Sequence, residues 1–189
     1  MRWIIVDGID GSGKTSVASW IERYYCGRGE RVLVQMHPSD RFMGRNARRF
    51  LQGKGKLMYI LSSLFFILDV LTSLRKLRRW RREYDDVVFV RYLMGTAYLP
   101  GKYAKMGYNL FRHILPVPEH LLLVDVQPDI ALRRISERND HEEMFENLPA
   151  LTRVRETVLG LAEGWTVLDN SGSEERSVQR LHEVLAGWD

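Results

Sequence analysis

Apolar and polar positions along this chain alternate between two rhythms. Short apolar runs bounded by turn signals recur at "RWIIVD" (2–7), "RVLVQM" (31–36), "DVVFVR" (86–91), "HLLLVDV" (120–126) and "WTVLD" (165–169), and these read as buried strands. Between them lie stretches of helical length at roughly 14–26, 44–52, 57–82, 93–110, 129–138, 145–163 and 173–186, with Pro38, Pro116, Pro118 and Pro128 at boundaries. Strands that alternate with helices imply an α/β fold: a doubly wound, parallel, five-stranded sheet with helices on both faces. No internal repeat, low-complexity tract or linker interrupts the pattern, so residues 1–189 are expected to form one domain.

One helical stretch changes that picture. "LMYILSSLFFILDVLTSL" (57–74) is nearly long enough to span a bilayer and runs into the basic segment "RKLRRWRR" (75–82). Asp69 and the pair Ser62-Ser63 count against a span. A stripe at Leu57, Ile60, Leu61, Leu64, Ile67, Leu68, Leu71 and Leu74, with a second apolar face at Met58, Phe65 and Val70, reads as a helix buried on two sides. One side would meet the sheet and the other a partner subunit, so a homodimer without membrane contact is expected. The basic segment suits a solvated helix end, its cations facing the C-terminal dipole. Only Trp80 and Tyr84 are interleaved with it, too few aromatics to make a nucleic-acid surface the first reading.

Composition adds little beyond this. The chain is 45% hydrophobic and 28% charged, as expected of a globular domain with a full core, and a net charge of +4 favours polyanionic partners in general. The single cysteine, Cys26, cannot form an internal disulfide, and Met1-Arg2-Trp3 leads straight into a strand without the apolar region of a signal peptide. A reducing cytoplasm is the expected location, with Cys26 a small buried side chain at a helix end.

The candidate chemistry lies in the first turn. Gly8-Ile9-Asp10-Gly11-Ser12-Gly13-Lys14-Thr15 fits G-x-x-x-x-G-K-[ST] between a strand and a helix, the context that gives the motif its meaning. Glycines let the backbone curl so that consecutive N–H groups, through Ser16, face an anion. Lys14 supplies a mobile cation and Thr15 a hydroxyl for magnesium. ATP and magnesium are therefore the expected ligands. A general GTPase would also need a strand-end D-x-x-G, and "HLLLVD" is followed instead by Val126-Gln127-Pro128.

With these residues in place, the chain resembles the thymidylate kinase family, a divergent member, over nearly its whole length. The loop is similar to the family's "G-x-D-G-S-G-K-T". "HPSDRFMGRNARRFL" (37–51) resembles its proline-to-glycine loop and following helix, and "LFFILD" (64–69) its "L-F-x-A-D-R" helix. "VRYLMGTAY" (90–98) resembles its "D-R-Y … A-Y-Q" segment and "ALRRISERNDHEEMFE" (131–146) its lid, which would span about 136–146. The resemblance implies a P-loop NTPase fold and ATP-dependent phosphoryl transfer to a nucleoside monophosphate. It also implies that Asp10 meets the acceptor sugar, Arg48 and Arg91 the acceptor nucleotide, Phe66 the base and Tyr98 the sugar edge. Gly11 occupies the loop position where some members carry an arginine, so a lid arginine is expected instead. Arg133, Arg134 and Arg138 are available; Arg138, which begins the polar stretch, is the choice.

The departures from the family cluster on the acceptor side. Val90 replaces the aspartate of "D-R-Y", leaving Asp7, Asp86 and Asp125 as candidate substitutes. Val70 replaces the arginine that reads thymine, Met36-His37-Pro38 stands for "R-E-P", and Leu99 for the glutamine after "A-Y". A monophosphate, with a second pKa of about 6, is already a nucleophile at neutral pH, whereas a sugar hydroxyl needs a base beside it. The second strand ends in Gln35-Met36-His37-Pro38 with no carboxylate before Asp40, which favours a monophosphate acceptor, thymidylate first. The alternatives are a kinase for another acceptor and a nucleotide-binding module without turnover. A third, a nucleic-acid binder, rests on residues 75–82 alone.

Overall fold

The computed structural model describes residues 1–53, 55–99, 101–137 and 147–189. Five strands, β1 (Arg2–Asp7), β2 (Val32–Met36), β3 (Asp86–Val90), β4 (His120–Asp125) and β5 (Thr166–Asp169), form one parallel sheet in the order β2-β3-β1-β4-β5. Every residue of β3, and of β1 after Arg2, is buried, as continuous apolar runs in the middle of a two-sided sheet require. At the edges β2 is half-buried throughout, and in β5 Val167 faces solvent.

Seven α-helices are described: α1 (Lys14–Cys26), α2 (Phe42–Leu51), α3 (Lys56–Glu83), α4 (Lys102–Ile114), α5 (Pro128–Ser136), α6 (Leu148–Gly160) and α7 (Glu174–Ala186). Against one sheet face, Val17, Ile21 and Tyr25 of α1 and Leu181 and Leu185 of α7 pack on Ile4, Val6, Val88 and Val124. Against the other, Val70 and Leu77 of α3, Tyr108 of α4, Ile135 of α5 and Val154 of α6 pack on Ile5, Val87, Phe89 and Leu123. The fold is thus that of the P-loop nucleoside monophosphate kinases.

Two local expectations are corrected, and the two faces of α3 are told apart. The helix expected over 93–110 is two pieces, a 3₁₀ turn at Met94–Tyr98 and then α4, separated where Gly101 takes φ 49°. Cys26 is exposed rather than buried, because α1 turns its apolar face inward at Tyr25 and ends one residue later. In α3, Leu57, Ile60 and Leu64 are 63%, 52% and 50% exposed in the single chain, while Ser62, Asp69 and Ser73 are buried with Val70 and Leu77. The N-terminal part of the apolar stripe thus faces outward, while the inner face carries a polar network. Among the described residues, α3 is also the one helix long and apolar enough to cross a membrane.

That network joins α3 to the loop after β2. The Asp69 carboxylate accepts from the Ser39 backbone N–H at 2.7 Å and its hydroxyl at 2.6 Å, and pairs with Arg41 at 3.1 Å. Arg41 also donates to the Ser73 hydroxyl. His37 lies beneath, with Nδ1 3.2 Å from the Val90 carbonyl and Nε2 2.8 Å from Ser73 Oγ. A carbonyl can only accept, so the neutral ring carries its proton on Nδ1 and accepts from Ser73 at Nε2. Burial drives the imidazole down to about 4, although Asp69 pulls the other way.

Between pH 6.5 and about 4 the unfolded chain therefore binds a proton at His37 that the folded chain refuses, and stability falls as pH drops through that window. Urea unfolding across this range is expected to show wild type losing about 1.4 kcal/mol per pH unit relative to His37→Gln. Parallel pH curves for the two proteins would contradict the assignment.

Candidate active site

β1 delivers the chain to the edge of the sheet at Asp7, and the Gly8–Thr15 loop curls from there into α1. Two glycines are dictated by geometry. Gly11 has φ 75°, and a Cβ on it would lie 2.5 Å from the Ala131 carbonyl oxygen of α5. Gly13 has φ 90°, with Asn170 Nδ2 2.4 Å from where its Cβ would stand. Asn170, at the end of β5, holds the loop by donating to the Ser12 carbonyl at 2.8 Å. Ser12 Oγ is buried with no hydrogen-bond partner among the described residues, a donor inside a curl of backbone N–H groups that fits an anion. Thr15 and Ser16 are exposed on the first turn of α1, where a hydroxyl can reach a cation riding on phosphate oxygens.

Lys14 is buried, its ammonium donating to the carbonyls of Gly8 at 3.0 Å and Ile9 at 2.5 Å. Its neighbour Asp10 is the meeting point of the site. One carboxylate oxygen accepts from Arg91 at 2.5 Å and lies 3.9 Å from the Lys14 ammonium; the other accepts from the Tyr98 hydroxyl at 2.6 Å. The Asp10 backbone N–H donates back to Tyr98 Oη at 3.1 Å. Burial alone would raise the Asp10 carboxyl, but Arg91, Lys14 and Tyr98 together outweigh it and hold it at about 2. The same burial and the Asp10 charge push the Tyr98 phenol well above its usual value.

Arg91 reaches Asp10 from an unusual backbone. Its φ is 62°, in the left-handed region that a branched or long side chain rarely enters. The conformation is fixed on both sides: Arg91 N–H donates to Val6 at 3.1 Å, and the next three N–H groups, of Tyr92, Leu93 and Met94, converge on one Asp7 oxygen at 3.0, 2.9 and 3.2 Å. Burial raises the Asp7 pKa against the pull of those three bonds and of Lys14. Asp7 thus turns the chain and aims Arg91 at the loop.

The remaining residues singled out from sequence are distributed unevenly. Phe66 is half-buried against the core, 6.4 Å from the His37 ring. Arg48 is tied to its own loop, donating to Ser39 O at 3.2 Å and Asp40 Oδ1 at 2.5 Å. Of the lid-side arginines, Arg133 points at Glu137 on an exposed face. Arg134 donates to the Asn170 carbonyl at 2.9 Å, with Nη1 3.8 Å from the Cβ position of Gly13. Arg138 lies outside the described residues. Among the candidate carboxylates, Asp86 sits at the far end of the sheet on Arg2 and Asp125 forms a two-pronged pair with Arg155 at 2.8 Å, so Asp7 lies nearest the loop. Val90 is fully buried beneath α1.

Sequence reasoning named Arg134 only as one of three available arginines and preferred Arg138, and it did not find Asn170 or Arg41 as parts of this neighbourhood, nor the capping by Asp7. Asp7 ends β1 and Asn170 follows β5, both at the C-terminal ends of strands, which in a parallel α/β sheet is the ligand side, and that was the available signal.

Fold and loop define a P-loop phosphotransferase of nucleoside monophosphate kinase architecture. Residues 6–181 match the model of the thymidylate kinase family. A probable thymidylate kinase of Pyrobaculum aerophilum is 28% identical over 98% of this chain and 96% of its own, and one of Pyrobaculum calidifontis is 32% identical over 88% and 86%. A thymidylate kinase of Leptospira borgpetersenii is 26% identical over 97% and 92%. The solved thymidylate kinase of Candida albicans, 17% identical, superposes with a TM-score of 0.74 over 98% of this chain and 91% of that one, a likeness of fold. The chain belongs to the thymidylate kinase family, and it is an enzyme for phosphoryl transfer of the nucleoside monophosphate kinase type.

Because Asp7 satisfies three buried N–H groups at once, Asp7→Ala is expected to cost roughly 3 kcal/mol or more in denaturant unfolding. A loss below about 1 kcal/mol would contradict its role in holding the 91–94 turn.

Proposed function

We propose that the chain transfers the γ-phosphoryl group of ATP to thymidylate, giving ADP and dTDP. The observation that carries this reading is the convergence of Lys14 and Arg91 on Asp10, which sets a donor-side cation and an acceptor-side cation about one carboxylate apart. The family relationship supports nucleotide substrates, and the Pyrobaculum and Leptospira relatives bear the thymidylate kinase name.

In this reading Gly8 to Ser16 receive the triphosphate through backbone N–H groups and the Ser12 hydroxyl. Lys14 exchanges the Gly8 and Ile9 carbonyls for phosphate oxygens. Magnesium, when bound, would neutralise charge on the transferring group, with Thr15 as its protein hydroxyl. Arg91 and Arg48 clamp the acceptor phosphate, Phe66 stacks the base, and Asp10 and Tyr98 meet the sugar. Arg138, in the 136–146 segment that the family resemblance names as the lid, would supply a guanidinium to the transferring oxygens. Catalysis is positioning plus charge neutralisation, without a general base, in a single kinase domain of the cytoplasm.

A homodimer completes the reading. Leu57, Ile60 and Leu64 form an exposed i, i+3, i+7 row on α3, and apolar surface of that kind is covered at subunit contacts.

Lys14→Ala is expected to reduce dTDP formation by about a thousandfold or more while leaving the thermal unfolding curve in place; near-normal turnover in that variant would sink the assignment. Light scattering at micromolar concentration is expected to give twice 22.1 kDa for wild type and one mass for Leu64→Glu, and a monomeric wild type would count against the dimer.

A further inference from the structure

The position from which an arginine on α3 would read the base is Val70, which is 3% exposed and packed in the core, so α3 itself offers the acceptor no donor there. A different guanidinium lies over the same turn. Arg41, the extended residue just before α2, donates through Nη2 to the Asp69 carboxylate at 3.1 Å, to the Asp69 carbonyl at 3.4 Å and to the Ser73 hydroxyl. Its Nη1 donates to the side-chain carbonyl of Gln35 in β2 at 3.1 Å, and its Nε is buried with no hydrogen-bond partner among the described residues. The side chain is 25% exposed, so it borders solvent while one edge is pinned.

We infer that Arg41 is the residue that selects the acceptor's base, rewarding bases whose recognised edge carries a keto oxygen. The inference rests on the proposed reading that Phe66 stacks that base. Asp69 follows Phe66 by three residues on the same helix, so the guanidinium held on Asp69 stands on the helix face beside the Phe66 ring. His37 touches both sides of this corner, its ring 6.4 Å from Phe66 and its Nε2 on Ser73. The order of donors leaves Arg41 no freedom to turn. Ser73 spends its proton on His37 and so accepts from Arg41, while Asp69, filled by two bonds from Ser39, holds the charge.

A guanidinium has donors only. Thymine and uracil present O4 and guanine presents O6, all acceptors, whereas cytosine and adenine present amino donors that would face the second N–H of Arg41 Nη1 unpaired. A site built around a donor rejects the analogue that cannot accept far more strongly than an apolar pocket rejects a misfit methyl group.

The test is a panel of dTMP, dUMP, dGMP, dCMP and dAMP, measured both by ADP release and by calorimetric binding, on wild type, Arg41→Gln and Arg41→Lys. Wild type is expected to favour dTMP, dUMP or dGMP over dCMP and dAMP by about a hundredfold or more in kcat/KM and in binding. In Arg41→Gln, whose amide both donates and accepts, that ratio falls to within about tenfold, with the loss for dTMP carried by KM rather than kcat. Arg41→Lys keeps the charge against Asp69, but its single ammonium is spent on that carboxylate and Ser73 and has no second arm corresponding to Nη1 to offer the base, so it is expected to lose the same preference and decides the question if the glutamine variant does not fold. A wild type indifferent to keto and amino bases, or a preference retained in the folded variants, overturns the inference. Absence of turnover with every monophosphate would sink the kinase reading alone, because the binding ranking still judges Arg41.

Discussion

Everything in the site hangs on one carboxylate. Asp10 sits inside the phosphate loop, yet its partners come from the end of β3 and from the 3₁₀ turn beyond it, through Arg91 and Tyr98. Two cations on one half-buried anion hold its pKa at about 2, so at working pH the link between the loop and the end of β3 is ionic and constant. The link also limits repulsion. Lys14 and Arg91 would repel each other, and Asp10 lets both stand close together. Removing it would cost more than one contact, since two donors and the Tyr98 hydroxyl would lose their acceptor together.

A second carboxylate does the backbone work. Asp7 gathers three N–H groups so that Arg91 can keep a left-handed φ, and strain of that kind persists only where neighbours over-determine it. The third, Asp69, does the corresponding work for the loop after β2. Its network with Ser39, Arg41, Ser73 and His37 turns α3 so that Ser62, Asp69 and Ser73 face inward and Leu57, Ile60 and Leu64 outward. The exposed stripe and the buried network are thus two sides of one choice of helix face.

Much of the fold was legible because its signals are local and repeated. Apolar runs such as Val87–Val90 admit only a strand buried on both faces, and the glycine spacing before Lys14 admits only a curled loop. What escaped depends on residues far apart in the chain. The break before α4 follows from one glycine conformation inside an otherwise helical pattern. Which of the two apolar faces of α3 meets the sheet could not be read from periodicity, because the deciding partners are Ser39 and Arg41 some 30 residues earlier. Cys26 was misjudged by a single helical position. Asn170 meets Ser12 across 158 residues, a contact that no spacing rule contains. On the acceptor side, the missing arginine at Val70 was visible in sequence, but the guanidinium of Arg41 over the same turn was not.

The central claim is that charge clamps act on an acceptor that is already a nucleophile, with no general base in the protein. The most direct measurement compares ADP release from ATP and magnesium with dTMP and with thymidine as acceptor, across pH 5 to 8. Turnover with dTMP that rises through one ionisation near about pH 6, the acceptor's own second pKa, and none with thymidine is the expected result. Phosphorylation of thymidine at a comparable rate would contradict it, because a sugar hydroxyl requires a base that these residues do not supply.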